Sequence, residues 1–221
     1  HGRDSRQRVR GIAPIHGGGG GLRMARTDTR GRILEAATDL FGVRGVDAVS
    51  LDVIAAEVGV AKQTLLYWFA SKDDLVQAVL AQTAAQLGVA IEAAIRASGD
   101  NPLDRIEAVV KAVFRPAVRR PALLGLVREA SRLSGPAAER LNGALRPLVE
   151  RGVRYMEGEM ERGRLRRADP RLVAALCYAT VTGIATEPEA LRAVGWQPTT
   201  SELRRLRSEL LAFLRAALAP G

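Results

Sequence analysis

Three consecutive polar residues, Lys62, Gln63 and Thr64, offer the clearest potential for chemistry in this sequence. They follow Gly59, a residue type that readily takes the left-handed conformation of a turn, and they open a short helical pattern that ends near Phe69. An ammonium, an amide and a hydroxyl at the start of a helix can contact phosphate oxygens and base edges in the major groove of DNA. These residue types therefore predict hydrogen bonding to a polyanion rather than bond making.

The inventory of catalytic and metal-binding side chains is poor. The chain has two histidines, His1 and His16, and one cysteine, Cys177. No metal cluster, internal disulfide, or Ser-His or Cys-His pair can be built from these residues in the folded region. We therefore expect no enzyme, no metal and no cofactor. No signal peptide and no apolar run near the ~18 residues of a membrane span are recognised, which predicts a cytoplasmic protein.

The positive charge lies mostly at the N-terminus. Residues 1–32 carry eight arginines and two aspartates, which is +6 of the net charge of +9. Residues 1–23 end in five glycines and Leu-Arg before Met24 and have no helical period, so they are interpreted as a flexible extension. Alternatively, Met24 is the true start and the extension is not native. Net charge therefore says little about the rest of the chain.

The elements that must position these side chains are helices. Ala and Leu are abundant, aromatics make up 4% of the chain, and strand-like alternation is hard to find, so we predict an all-α fold of about nine helices. Helix 1 runs from about Thr27 to Gly42–Gly45, and helix 2 begins after the N-cap Ser50 and ends at Gly59. A short helix 3 follows at 62–69, and a long helix 4 spans 71–98. Further helices are expected at 103–119, 121–133, 136–162, 170–186 and 201–218.

The run from Ile54 to Phe69, IAAEVGVAKQTLLYWF, has the spacing of a helix-turn-helix. Ala55 allows two helices to cross closely, Gly59 makes the turn, and Val60 and Leu65 fill the wedge between the helices. An ordinary three-helix bundle would give the same local pattern. The longer window from Arg30 to Leu75 resembles the DNA-binding domain of the TetR family without a gap. The matching residues are Arg30, Ile33, Leu34, Ala36, Ala37, Leu40, Phe41, Gly45, Ser50, Ile54, Ala55, Gly59, Val60, Thr64, Leu65, Phe69, Ser71, Lys72 and Leu75.

Two departures from the family pattern affect the DNA contacts. Ala61 replaces the usual Ser, which removes an N-cap and a hydroxyl. Leu66 replaces the usual Tyr, so either Tyr67 or Trp68 could take over an aromatic phosphate contact, or either could pack against helix 1. The resemblance implies phosphate contacts by Lys62, Lys72, Ser50 and Thr64 and reading of adenine by Gln63. The predicted DNA-binding residues are Ser50, Lys62, Gln63, Thr64, Tyr67, Trp68 and Lys72.

The resemblance also implies a domain plan and a function. Residues 24–72 would form the DNA-binding domain and residues 73–221 a ligand-binding and dimerisation domain. The expected protein is a homodimeric repressor that binds a palindromic double-stranded operator and leaves it when an unknown small molecule binds. A regulator that activates or needs no ligand is the alternative, and a helical protein-interaction module is a remote one.

Beyond residue 80 the resemblance extends only to architecture. The last two predicted helices carry small and apolar stripes expected to form the dimer, although an intrachain core would show the same stripes. The dimer residues predicted are Leu172, Ala175, Leu176, Ala179, Gly183, Leu203, Leu206, Leu210, Phe213 and Leu214. Aromatic, thioether and polar side chains predict a ligand cavity among helices 4 to 8. The candidates are Phe114, Arg128, Tyr155, Met156, Met160, Tyr178 and Thr182.

Overall fold

The structure is a computed structural model that describes residues 20–119, 123–197 and 199–220. These residues form ten α-helices, which confirms the all-α prediction. The N-terminal helices are α1 (Gly20–Arg44), α2 (Leu51–Val58), α3 (Lys62–Trp68), α4 (Lys72–Ala97) and α5 (Pro102–Arg119). The remaining helices are α6 (Leu123–Ser131), α7 (Gly135–Glu161), α8 (Pro170–Thr186), α9 (Pro188–Ala193) and α10 (Thr200–Leu218).

The helix count differs from the expected nine because of α9. This helix of six residues lies between the two helices expected to form the dimer, so the last predicted helix is α10. It is too short to show a helical period in the sequence. Residues 1–19 of the predicted extension lie outside the described residues, and α1 begins at Gly20.

The described residues pack around two apolar clusters. The first, called the head core, joins Phe41 of α1, Ile54 of α2 and Leu65 of α3 with Leu75 of α4 and Leu126 of α6. The second, called the C-terminal core, is built from α5, α6, α7, α8, α10 and the loop that precedes α8. The helix α6 contributes to both, because Leu126 lies in the head core and Leu124 in the C-terminal core.

We call α1, α2, α3 and the start of α4 the head. Two close contacts connect the head to the C-terminal helices. Gly42 of α1 and Gly125 of α6 meet backbone to backbone: a Cβ added at Gly125 would lie 2.4 Å from the carbonyl oxygen of Gly42. Only two residues without side chains allow helices to approach this closely. The helix α4 also packs along α7, where Arg140 donates to Gln77 and Arg151 pairs with Glu92. Because the residue numbers of the contacting pairs increase along both helices, α4 and α7 run in the same direction.

The expectation that no segment reaches the length of a membrane span is corrected by α4. Over an 18-residue window this helix has a mean hydropathy of 1.4, so it is long and apolar enough by length and composition alone. Its few charges fall near its two ends. The segment between them has no charged residue, but uncharged polar residues divide it into short apolar runs, so the sequence did not suggest a span. The helix packs against α1, α5 and α7, and Leu75 and Val79 are fully buried, as in the central helix of a bundle.

Ion pairs join α5 to α10 at the far end of the C-terminal core. Arg215 of α10 lies 2.9 Å from Asp104 Oδ1, and its Nε donates to Glu107 Oε1 at 2.7 Å. Lys111 also pairs with Glu107 at 3.0 Å. Burial alone would raise the pKa of Glu107, but the bonds from Arg215 and Lys111 outweigh it and hold that pKa below its ordinary value.

Candidate nucleic-acid interface

The turn between α2 and α3 has the geometry that the sequence predicts. The Ser50 hydroxyl caps α2 by accepting from the amide of Val53 at 3.3 Å. At the other end Gly59 has φ of +73°, the left-handed conformation that favours glycine, and the Val60 amide donates to the Ala55 carbonyl at 2.9 Å. Ala55 is buried where the two helices cross. The turn therefore fixes the angle at which α3 leaves α2.

The helix α3 buries one face and presents the other. Leu65 is fully buried in the head core, whereas Lys62 and Gln63 are exposed and Thr64 is half-buried. Because successive residues of a helix are 100° apart, burying Leu65 directs Lys62 and Gln63 away from the core. The outer face of α3 therefore carries an ammonium and an amide together, as a helix that reads the major groove requires.

The structure separates the roles of the two aromatic residues that follow. Trp68 is half-buried and packs against the head core, whereas Tyr67 is 65% exposed. Their rings meet edge to face with centroids 5.2 Å apart. Tyr67 is thus positioned for an aromatic phosphate contact, and Trp68 is positioned mainly for packing.

Lys62 does not stand alone on this surface. Its Nζ lies 2.8 Å from Asp52 Oδ2 of α2, and both side chains are at least half exposed. An exposed pair of this kind contributes little to stability, but it holds the ammonium at the turn and lowers the local positive charge. Asp52 was expected to complement the dipole of helix 2, but its ion pair with Lys62 was not predicted, because the two residues lie ten positions apart across the turn.

The start of α4 is also fixed by a cap. The Ser71 hydroxyl accepts from the Asp74 amide at 3.1 Å and donates to the Asp74 carboxylate at 2.8 Å. Lys72 is the first residue of α4 and is half-buried. The cap therefore fixes the start of α4, and with it the backbone of Lys72.

Two arginines of α1 support the helix-turn-helix, and the sequence analysis assigned them no such role. Arg32 Nη2 donates to the Val58 carbonyl at the end of α2 at 2.5 Å. The guanidinium of Arg30 lies 5.3 Å from the centroid of the Phe69 ring. A bond to a C-terminal carbonyl and a cation–π contact both fasten α1 to the two helices that would touch DNA.

The predicted ligand residues fall into two groups. Phe114, Met156 and Met160 are buried in the C-terminal core, and Tyr155 is half-buried beside them on α7. Arg128 is exposed, Tyr178 is 65% exposed, and the Thr182 hydroxyl donates to the Tyr178 carbonyl at 2.9 Å. The structure therefore brings four of the seven to one region and places Arg128 and Tyr178 on the surface.

A cleft of about 70 Å³ lies elsewhere, between α4 and α7. It is lined by Leu80, Leu133, Leu141 and three alanine or glutamine residues, and Arg140 closes one side. None of the seven predicted ligand residues lines it. In the described part of the chain no group of three His, Cys, Asp or Glu residues is arranged to hold a metal ion.

The predicted dimer stripes divide in the same way. On α8, Leu172 is 63% and Leu176 60% exposed, with Ala175 and Ala179 exposed between them; on α10, Phe213 is 60% exposed. Gly183, Leu206 and Leu210 are half-buried. Leu203 and Leu214 are corrected: they are buried in the C-terminal core of the chain itself and leave no surface for a partner.

The fold and this geometry define a helix-turn-helix protein with an all-helical C-terminal domain. Residues 33–79 match the family model described as bacterial regulatory proteins, tetR family. The head is therefore a TetR-family DNA-binding domain, which confirms the family that the sequence predicted.

One sequence relative and two solved structures show the extent of the similarity. The chain is 38% identical over 101 residues to the HTH-type transcriptional activator FasR of Mycolicibacterium smegmatis, and this match spans 46% of each chain. A putative transcriptional regulator from Saccharomonospora viridis in complex with choline has a TM-score of 0.72 at 21% identity, covering 87% of this chain and 98% of that one. AibR in complex with isovaleryl coenzyme A and operator DNA has a TM-score of 0.67 at 18% identity, covering 84% and 97%. The chain therefore spans about half the length of FasR in this match, and the structural matches concern the fold.

Proposed function

We propose that this protein is a cytoplasmic transcriptional repressor that binds a palindromic operator as a homodimer and releases it when a small molecule binds in the C-terminal domain. The observation that carries the proposal is the outer face of α3, where Lys62, Gln63 and Tyr67 are exposed while Leu65 is locked in the head core. Membership of the TetR family supports DNA as the partner of this face.

The charge balance of the head favours recognition of base edges over nonspecific electrostatic attraction to DNA. Between Arg26 and Lys72 the sequence carries six basic and six acidic residues, so this unit is formally neutral. Affinity must then depend on a few well-placed donors and helix N-termini rather than on net charge. Single substitutions at such donors are expected to have large and distinguishable effects.

Measurements of operator binding distinguish phosphate contacts from contacts with base edges. Lys72→Ala removes one phosphate contact, so we expect weaker binding to all sequences and a salt dependence flatter by about one counterion. Gln63→Ala is expected to relax the preference at one base position at a cost of about 1–3 kcal/mol. Lys111→Ala on α5 and Gln86→Ala on α4 are the matched controls. Equal losses on operator and random DNA for Gln63→Ala would contradict a reading role.

Dimerisation is supported by the exposed apolar face of α8 and α10. Large leucine and phenylalanine side chains seldom lie this exposed next to small residues unless a partner covers them. We expect light scattering at micromolar concentration to give a dimer mass. Leu176→Glu should give a monomer that no longer holds two half-sites at a fixed separation, whereas Val89→Glu, an equally exposed position on α4, should stay dimeric. A monomeric native protein would refute this part of the proposal.

Effector response is supported by how the head is connected. The helix α4 begins three residues after α3 ends and is joined to α7 through Gln77 and Glu92, so a shift of α7 displaces the base of the recognition helix. A coupling of about 1–3 kcal/mol would weaken DNA binding about 5- to 150-fold, and operator DNA would weaken effector binding by the same factor. A titration of effector with and without operator measures both.

A second candidate function is activation. FasR, which is 38% identical to this chain over 101 residues, is described as a transcriptional activator. An activator binds the same kind of site but raises transcription when bound. A reporter gene under the protein's own operator distinguishes the two: deletion of the protein raises expression from a repressed promoter and lowers it from an activated one.

A further inference from the structure

The C-terminal domain contains a polar cluster at the edge of its apolar core. It is formed by Arg105 of α5, Tyr155 and Glu159 of α7, and Arg162 and Arg164 directly after α7. Glu159 is 2% exposed, and among the described side chains it is the only charged one that is buried. Burying a carboxylate is costly unless cations pair with it, so the arrangement of its partners indicates what the cluster can bind.

The charge of Glu159 is fully compensated by the loop that follows it. Arg164 Nε lies 2.6 Å from Glu159 Oε2, and its Nη2 donates to Oε1 at 2.7 Å. Arg162 Nη1 donates to Oε1 at 3.2 Å. The amides of Arg164 and Leu165 donate to the carbonyl of Glu159, which fixes the loop. Two guanidinium groups on one carboxylate leave this part of the cluster with a positive excess.

Tyr155 and Arg105 complete the cluster with donors that have no acceptor. The guanidinium carbon of Arg105 lies 5.3 Å from the centroid of the Tyr155 ring, and its Nη2 donates to the Gly99 carbonyl at 3.3 Å. The Tyr155 hydroxyl and Arg105 Nε are buried, and neither has a hydrogen-bond partner of normal geometry within the described chain. Glu159 Oε2 likewise has no such bond, but the ion-pair contact with Arg164 Nε at 2.6 Å engages it. A buried donor without an acceptor destabilises the fold.

Tyr155 keeps its proton near neutral pH. Burial raises the pKa of Tyr155 above its ordinary value, Glu159 adds to the rise, and the nearby Arg105 and Arg164 act in the opposite direction. The hydroxyl is therefore a neutral donor. The three arginines exceed Glu159 and Asp100, which lies 4.0 Å from Arg105, by one positive charge, and water screens the exposed Asp100 and Arg162 and the half-exposed Arg164.

We infer that this cluster binds the carboxylate or phosphate group of a small amphiphilic anion, which accepts hydrogen bonds from the Tyr155 hydroxyl and from Arg105 Nε. The inference rests on the effector response proposed above and names the chemical class of the effector. An anion supplies the acceptor that both donors lack and offsets the excess positive charge. Met156 and Met160, on the same helix as Tyr155, are buried in the C-terminal core, which offers adaptable apolar contacts to the rest of the molecule.

Calorimetric titration of the full chain with octanoate, octyl phosphate and octanol tests the inference. Octanoate or octyl phosphate is expected to bind, and the tighter of the two identifies the anionic group; octanol, which has the same chain and no charge, is expected to bind at least tenfold more weakly. Tyr155→Phe removes one hydrogen bond to a charged group, worth about 1.5–3 kcal/mol, and should weaken the anion about 10- to 150-fold. Ser131→Ala, which removes an exposed hydroxyl from α6, should leave the affinity unchanged.

The outcomes separate this inference from the proposed repressor function. Octanol binding as tightly as the anions, equal affinities in Tyr155→Phe and Ser131→Ala, or no anion binding to folded protein that still binds operator would overturn the anion site. Arg105→Lys gives a second check, because it keeps the charge and loses Nε; it should weaken the anion while the melting temperature stays near that of the native chain. Tyr155-dependent anion binding without any change in operator affinity would support the site and refute its control of DNA binding.

Discussion

Replacing Gly125 by Ala tests the contact between α1 and α6 with a single methyl group. The added Cβ would lie 2.4 Å from the carbonyl oxygen of Gly42 and 3.0 Å from its carbonyl carbon. The obstacle is helix backbone, which cannot rotate away as a flexible side chain would. Reaching an ordinary separation of about 3.4 Å requires the two helices to move apart by about 1 Å, in an interior packed like a crystal.

The expected change in the free energy of unfolding is the difference between two opposing effects. Overpacking of this kind costs about 1–3 kcal/mol, and a backbone obstacle places this case at the upper end. Ala within a helix gains about 1 kcal/mol over Gly, so the net loss of unfolding free energy is about 2 kcal/mol. For a chain of this size that corresponds to a melting temperature lower by about 4–8 °C.

The control is Gly143→Ala in α7, where an added Cβ meets nothing within 4 Å. It makes the same chemical change in an open helical position and should raise the melting temperature by about 1–4 °C. Both variants are compared by thermal and urea unfolding at one protomer concentration, since dimerisation makes stability depend on concentration. A melting temperature for Gly125→Ala that is equal to or higher than that of Gly143→Ala would show that the close approach of α1 and α6 does not exist in solution.

Three further expectations concern the head and the C-terminal core. Ala61→Ser supplies the side-chain cap that α3 lacks and should raise the free energy of unfolding by about 0.5–2 kcal/mol; an unchanged urea midpoint would contradict this. Asp52→Asn removes the carboxylate that holds Lys62, so operator binding should become tighter and its salt dependence steeper by about one counterion. Weaker operator binding would mean instead that the ion pair positions the Lys62 ammonium for DNA. The pKa of Glu107 is lowered from 4.5, so its ion pair with Arg215 stabilises the fold above that pH and loses this contribution as pH falls through the lower pKa of the folded state. Glu107→Gln should therefore flatten the loss of stability on acidification, and an unaltered acid unfolding curve would count against this network.

The local features of the head could be predicted from the sequence because they depend on short spacings. Ser50 and Gly59 bracket α2, and each has a residue type with few other uses at a helix end. The order of the two aromatics could also have been settled, since Trp68 lies three residues after the buried Leu65 and so returns to the same side of α3.

The features that were missed depend on residues far apart in the chain. The contact of Gly42 with Gly125 joins positions 83 residues apart, and a glycine in a helix gives no sign of its partner. The donors of Tyr155 and Arg105 lie on α7 and α5, so only the packed structure shows that both lack an acceptor. Leu203 and Leu214 share one helical stripe with the exposed Phe213, and amphipathic spacing cannot tell which part of a stripe is covered within the chain.

The helix α6 has a consequence for how the molecule unfolds. Because Leu126 completes the head core while Leu124 completes the C-terminal core, neither region can lose its packing without exposing apolar surface of the other. Residues 24–72 alone would also lack Leu75 and Val79, so this segment is not expected to fold as a separate fragment. We expect hydrogen exchange to show the recognition helix and the C-terminal helices opening as one cooperative unit, although DNA and effector contact opposite ends of it.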